Sequence, residues 1–159
     1  MDNANKRNFK AVYSEPMSQG TRCRQLAEYV IFESPLNMLC DSPSKYLREE
    51  ECTKFIASIP TVWDETVALD GKVGEYVAIA RKKDNVWYVG ALTNWDGRES
   101  ELDLSFLGEG TYNAELFEDG INADKVGKDY KRRTVRIGAD KKFKIRMAAG
   151  GGFIMKIWK

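Results

Sequence analysis

The stretch Tyr76-Val77-Ala78-Ile79-Ala80-Arg81-Lys82-Lys83-Asp84-Asn85-Val86-Trp87-Tyr88-Val89-Gly90-Ala91-Leu92 decides the fold class. Tyr76–Ala80 and Trp87–Leu92 are nearly continuous apolar runs. The polar segment Arg81–Asn85 between them reads as the turn of a hairpin whose two strands are well buried. Downstream the pattern settles into strict alternation, the mark of strands with one wet face. Leu102, Leu104 and Phe106 alternate with Asp103 and Ser105, and Tyr112, Ala114 and Leu116 alternate with Asn113 and Glu115. Val135 and Ile137 flank Arg136; Phe143, Ile145 and Met147 flank Lys144 and Arg146; and Phe153–Trp158 closes the series. Turn signals at Asp70-Gly71, Asp96-Gly97, Gly108-Glu109-Gly110 and Asp119-Gly120 punctuate these runs. Their spacing predicts an antiparallel β-sandwich of about seven or eight strands over residues 63–159, in a mainly β chain.

Upstream of Trp63 the period is helical. Cys23, Leu26, Ala27, Val30 and Ile31 recur at three- and four-residue steps within Ser18–Phe32, with Ser18 as N-cap and Pro35 as the stop. An apolar segment, Leu36–Leu39, leads to Asp41-Ser42-Pro43-Ser44, a turn and cap for a second helix from Lys45 to about Ile56. Its apolar face would use Tyr46, Leu47, Phe55 and Ile56, and Pro60 ends the helical segment, taken as 18–62. Residues 1–17 lack periodicity and read as a poorly ordered arm or linker. Two helices cannot enclose a core alone, so their apolar faces must cover the β-domain, a partner chain, or the rest of a larger protein; the last is the expectation.

The chain has 159 residues, 43% hydrophobic and 31% charged, which suits one or two small packed units. It is too short for a whole (β/α)8 barrel, which needs roughly 250 residues. Twenty-five basic against 24 acidic residues leave a net charge of +1, so no global field attracts nucleic acid or an anionic membrane. There is no histidine, which removes Ser-His and Cys-His pairs and His-ligated metals. Cys23, Cys40 and Cys52 form no CxxC spacing and read as buried structural thiols; which pair could bridge in an oxidising compartment is left open. Met1–Lys10 carry no apolar h-region and no run is long enough to span a bilayer, so neither a secretory signal nor a membrane span is expected.

Several segments are more specific. Met17-Ser18-Gln19-Gly20-Thr21-Arg22, Tyr29-Val30-Ile31-Phe32-Glu33-Ser34-Pro35-Leu36 and Pro60-Thr61-Val62-Trp63-Asp64-Glu65-Thr66 resemble the C-terminal third of glycoside hydrolase family 97. So do Gly74–Arg81, Trp87–Trp95, Asp119-Gly120-Ile121-Asn122-Ala123-Asp124 and Gly150-Gly151-Gly152-Phe153, in the same order from about residue 10 onward. The resemblance implies an α-glucosidase or α-galactosidase lineage with an N-terminal β-sandwich, a central (β/α)8 barrel and a C-terminal β-domain. It implies that this chain is the last helical part of an incomplete barrel followed by that C-terminal domain, with a structural or oligomerisation role. In such enzymes the acid, the base or nucleophile, and the carboxylates that hold calcium lie upstream, so no catalytic, cofactor or metal residue carries over. The expected partner is the upstream catalytic barrel, or a second copy through the helical face, and the whole enzyme would be exported to the periplasm.

Among residues that could carry chemistry, Asp64 and Glu65 are adjacent on an extended segment and point to opposite sides, so they cannot flank one glycosidic bond. Hydrogen bonding at the junction of the helical and β units is their expected role. Glu33, at a helix end, could pair with an Arg of the barrel. Trp63, Trp87, Tyr88, Trp95 and Trp158 could form an aromatic platform for α-glucan, the rival reading as a carbohydrate-binding module, although core or domain interface is the simpler role. Gly150-Gly151-Gly152 lacks the features of a phosphate loop and reads as a close backbone approach. The basic run Lys125–Arg146 reads as solvated or edge-protecting cations. The expected exposed apolar patch is Leu26, Val30, Ile31, Leu36, Met38 and Leu39.

Overall fold

A computed structural model describes residues 2–14, 16–39 and 41–159. Two short strands, β1 (Asp2–Ala4) and β2 (Met17–Gln19), pair in parallel, so part of the segment expected as a loose arm is tied down, with Ala4 buried. Helix α1 (Arg22–Ile31) follows, then α2 (Pro43–Arg48) and α3 (Glu50–Ala57). Eight strands come next: β3 (Glu65–Lys72), β4 (Tyr76–Lys83), β5 (Val86–Thr93), β6 (Arg98–Asp103), β7 (Asn113–Asp119), β8 (Tyr130–Arg136), β9 (Lys142–Met147) and β10 (Gly152–Trp158), with a 3-10 turn, Ser105–Leu107, after β6.

The strands form a six-stranded antiparallel sheet in the order β3-β4-β5-β10-β7-β8 and a two-stranded sheet, β6-β9. The large sheet is covered on both faces, which explains the unbroken apolar runs. Trp87, Val89 and Ala91 of β5, with Phe153, Met155 and Ile157 of β10, face Leu102, Ile145 and Met147 of the small sheet in one core. Tyr88 and Leu92, with Ile154 and Phe117, face Leu26, Val30, Cys52 and Phe55 of the helices in a second core. Helices, large sheet and small sheet are therefore three successive layers.

Local details correct the sequence reading. The N-cap of α1 is Thr21, not Ser18: its hydroxyl accepts the Arg24 N–H at 3.1 Å. The helix expected over Lys45–Ile56 breaks at Glu49, which ends α2 and precedes α3 with φ −105° and ψ 41°. Leu47 is exposed rather than on a buried face. The hairpin loop tightens to Asp84-Asn85, because Lys83 pairs with Val86. Asp84 takes the left-handed φ of 52° that Asp tolerates. Asp70-Gly71 is not a turn but lies in β3, beside a register shift between Ala68 and Asp70. Leu104 and Phe106 belong to the stop and the 3-10 turn after β6, not to its alternation. Among the described residues no helix is long and apolar enough to cross a membrane.

Candidate docking face

The helical layer is bolted to the large sheet at both ends of α1. At its N-terminus the Gly150–Gly152 segment passes close beneath the helix: the Gly150 carbonyl accepts the Thr21 N–H at 3.1 Å. Asp119, at the end of β7, is buried there. Its Oδ2 accepts the Ala148 N–H at 2.9 Å and the Gly152 N–H at 3.2 Å, and the side chains of Thr21 and Cys23 lie against the same carboxyl. Burial pushes the Asp119 carboxyl up, opposed by those donors. Burial, and then the neighbouring Asp119, push the Cys23 thiol well up. The expected close approach at Gly150–Gly152 is thus real, since a Cβ on Gly151 would collide with Asp119 Oδ2. At the other end Arg81, assigned by the sequence to a turn, is a buried residue of β4. Its Nη2 donates to the Ile31 carbonyl at 3.2 Å, a cation at a helix C-terminus, and its guanidinium lies 5.9 Å from the Trp63 ring.

Polar contacts anchor α2–α3 as well. Glu49 accepts from Arg22 at 3.1 Å and from Lys128 at 3.2 Å. Burial raises the Glu49 carboxyl, but the two cations outweigh it and hold it below its ordinary range. Tyr130 donates to Glu51 at 2.8 Å and Arg132 donates to Glu51 at 3.1 Å, tying α3 to the outer strand β8. Buried under this bracket, the Cys52 thiol is raised as well.

Facing away from the sheet, α1, the Phe32–Leu39 segment and α2–α3 surround a cavity of about 430 Å³ lined by Gln25, Tyr29, Phe32, Met38, Tyr46 and Ile56, among others. Phe32 and Met38, which line it, and Leu36 and Leu39 of the same segment stand exposed, Leu36 and Met38 at 77% and 79% of full accessibility. The apolar patch expected from sequence is therefore only half right. Leu26 and Val30 are fully buried against the sheet and Ile31 is half-buried, while Leu36, Met38 and Leu39 remain open.

Asp64 accepts from Lys83 Nζ and from the Asp84 N–H, each at 2.8 Å, which fixes the β4–β5 turn. Glu65 sits 4.0 Å from Lys82. Glu33 is exposed beside the apolar patch. The aromatic residues are dispersed: Trp87 and Tyr88 are buried on opposite faces of β5, Trp63 packs edge-on against Tyr88 at 5.4 Å, and Trp95 lies against Gly150. In the basic run, Arg133 pairs with Glu118 at 3.0 Å, and Arg132 pairs with Glu115 as well as Glu51. Cys23 and Cys52 are free and buried, whereas Cys40 lies outside the described residues. Among the described residues no three His, Cys, Asp or Glu side chains gather where they could hold a metal ion.

Comparison with known proteins accounts for this architecture. Residues 62–158 match the family model described as glycosyl-hydrolase 97 C-terminal, oligomerisation. The chain is 60% identical over 157 residues to a retaining alpha-galactosidase of Bacteroides thetaiotaomicron, which covers 99% of this chain and 24% of that protein. It is 30% identical over 129 residues to a probable retaining alpha-galactosidase of Streptomyces bingchenggensis, covering 81% of this chain and 19% of the relative. A glycoside hydrolase family 97 enzyme from Pseudoalteromonas sp. strain K8, solved with panose, superposes with a TM-score of 0.83 at 34% identity over 87% of this chain and 22% of that one. The chain thus spans about a quarter or less of these relatives. With residues 62–158 matched in sequence and 87% of its length superposed in space, the chain belongs to glycoside hydrolase family 97, as the C-terminal oligomerisation part of that family's architecture.

Proposed function

We propose that this chain is a non-catalytic part of a larger α-galactoside- or α-glucoside-cleaving enzyme, and that its helical layer seats the upstream catalytic barrel. The reading divides the chain into an arm at 1–17, a helical segment at 18–62 and a β-domain at 63–159. One observation carries it: the helices spend one side on the sheet, and the segment that follows α1 presents Phe32, Leu36, Met38 and Leu39 to solvent, with Phe32 and Met38 lining a cavity. Four exposed apolar side chains within eight residues mark an interaction site. The occupant is the upstream portion, because most of each relative's length lies beyond the matched part, which is only 24% and 19% of the two galactosidases, and the patch lies before the matched β-domain at residues 62–158. The purified chain should leave nitrophenyl α-galactoside and nitrophenyl α-glucoside intact. Mixed with the separately expressed upstream portion of the Bacteroides relative, it should restore hydrolysis that neither part shows alone. Turnover by the pure chain would overturn the reading.

A further inference from the structure

The outer face of the small sheet carries an arrangement that neither folding nor solubility requires. In β6 the outward residues are Glu99, Glu101 and Asp103, all acidic; in β9 they are Lys142, Lys144 and Arg146, all basic; and all six are exposed. The register sets them in three rungs: Glu99 opposite Arg146, Glu101 opposite Lys144, and Asp103 opposite Lys142. Lys142 Nζ donates to Asp103 Oδ2 at 3.2 Å, closing the last rung. Cross-strand pairs of opposite charge stabilise a two-stranded sheet. They would do so equally if the signs were mixed along each strand. Sorting all the acids onto one strand and all the bases onto the other adds nothing within the chain, but creates two parallel stripes of opposite sign.

We propose that this ladder is a self-complementary surface on which a second copy of the chain docks face to face, about a two-fold axis running along the strands. Rotation about that axis carries the acidic stripe of one copy over the basic stripe of the other and keeps position along the strand. Each side chain therefore meets, in the second copy, the same residue that it faces across its own ladder. A two-fold axis across the strands would instead set acid over acid and base over base, so the charges select one of the two arrangements. Among the described residues nothing covers this surface. Leu102, Phe143 and Ile145 point inward to the core shared with the large sheet, while the helices cover that sheet's opposite face. The ladder thus lies across the molecule from the patch assigned to the catalytic barrel. The inference deepens the assembling role of the β-domain but rests on a different surface, so the two fail separately.

Two six-residue strands are each about 20 Å long, a footprint well below the ~800 Å² per partner of stable complexes. The dimer is accordingly weak, with a dissociation constant of about 0.1–1 mM at low salt. Sedimentation equilibrium of the full chain at about 0.5 mM should show dimer at low salt, lost near 0.5 M salt as the Debye length shrinks to about 4 Å. Glu101→Lys and Lys144→Glu should each weaken self-association about tenfold, because each sets like charges together twice across the axis. Mixing the two variants in equal amounts should restore dimer. In the mixed pair both positions are lysine in one copy and glutamate in the other, so opposite charges meet at both crossings. Rescue on mixing cannot come from a change within either chain. A monomer throughout, a dimer indifferent to both substitutions, or failure of the mixture to recover would overturn the proposal. Both variants should still bind the upstream catalytic portion as the unaltered chain does.

Discussion

Gly152→Ala is the sharpest probe of how α1 is held. A Cβ at Gly152 would lie 2.6 Å from Arg24 Cα, 2.8 Å from Arg24 N and 3.0 Å from the Ala91 carbonyl oxygen. These are backbone atoms of α1 and β5, so no side-chain rotation relieves the clash; the helix must move out by about 1 Å, and overpacking of this kind costs typically 1–3 kcal/mol. A gap of 0.5–1 Å also forfeits about a quarter to a half of the dispersion attraction along the contact. That loss falls on Cys23, Leu26, Ala27 and Val30, all fully buried. The upper end, about 3 kcal/mol, is expected, which for a chain of this size lowers Tm by about 6–12 °C. Gly74→Ala is the control, because Gly74 has φ +78° but no atom within 4 Å of an added Cβ. It should cost only the left-handed backbone, about 1–2 kcal/mol. Urea and thermal unfolding by circular dichroism measure both. If Gly152→Ala cost less than Gly74→Ala, the close seating of α1 on β10 would be wrong.

The remaining predictions concern charge, thiols and the apolar patch. Glu49→Gln removes the negative charge that faces both Arg22 and Lys128, leaves a single accepting oxygen where two were used, and should cost about 1–3 kcal/mol at neutral pH. Because the folded-state pKa of Glu49 is depressed, its stabilisation is present above the ordinary value of 4.5 and fades as pH falls through the lower folded value. The gap between wild type and variant in urea midpoint should therefore close on acidification below 4.5, and a gap constant down to about pH 3 would contradict the pairing. The buried Cys23 and Cys52 should resist Ellman's reagent in the folded chain and react once urea unfolds it, whereas fast reaction of every thiol in the native chain would refute their burial. Leu36→Glu and Met38→Glu, at sites 77% and 79% exposed, should each leave the stability of the chain within about 0.5 kcal/mol. Each should nevertheless weaken binding to the upstream portion about tenfold or more; unchanged binding would remove the patch from the interface.

The change of period at Trp63 made the division into helices and strands legible, because alternation and three-to-four spacing report directly which faces are buried. The paired runs of β4 and β5 likewise announced burial on both faces. Less could be read where a long-range partner decides the outcome. Leu26 and Val30 show the same helical stripe whether a sheet or a missing barrel covers them. Gly90, like Gly152, hints at the answer, since its Cβ would lie 3.1 Å from the Ala27 carbonyl and from Val30. Arg81 reads as a turn cation after the five apolar residues Tyr76–Ala80, yet β4 continues through it and the C-terminus of α1 gives its charge a buried partner. Thr21 and Ser18 are equally good caps by type, and the choice falls to Thr21 because Asp119, about a hundred residues away, meets it. Asp119 itself was legible only as a turn residue. The charge ladder was hidden for a related reason: β6 and β9 are separated by two other strands, and only the register sets their charges opposite one another.

The most direct test of the assembling, non-catalytic role is sedimentation equilibrium of the chain titrated with the separately expressed upstream portion of the Bacteroides alpha-galactosidase, with hydrolysis followed on the same samples. The account predicts a one-to-one complex that gains α-galactosidase activity in step with its formation. Two species that sediment independently, with no activity in the mixture, would contradict it.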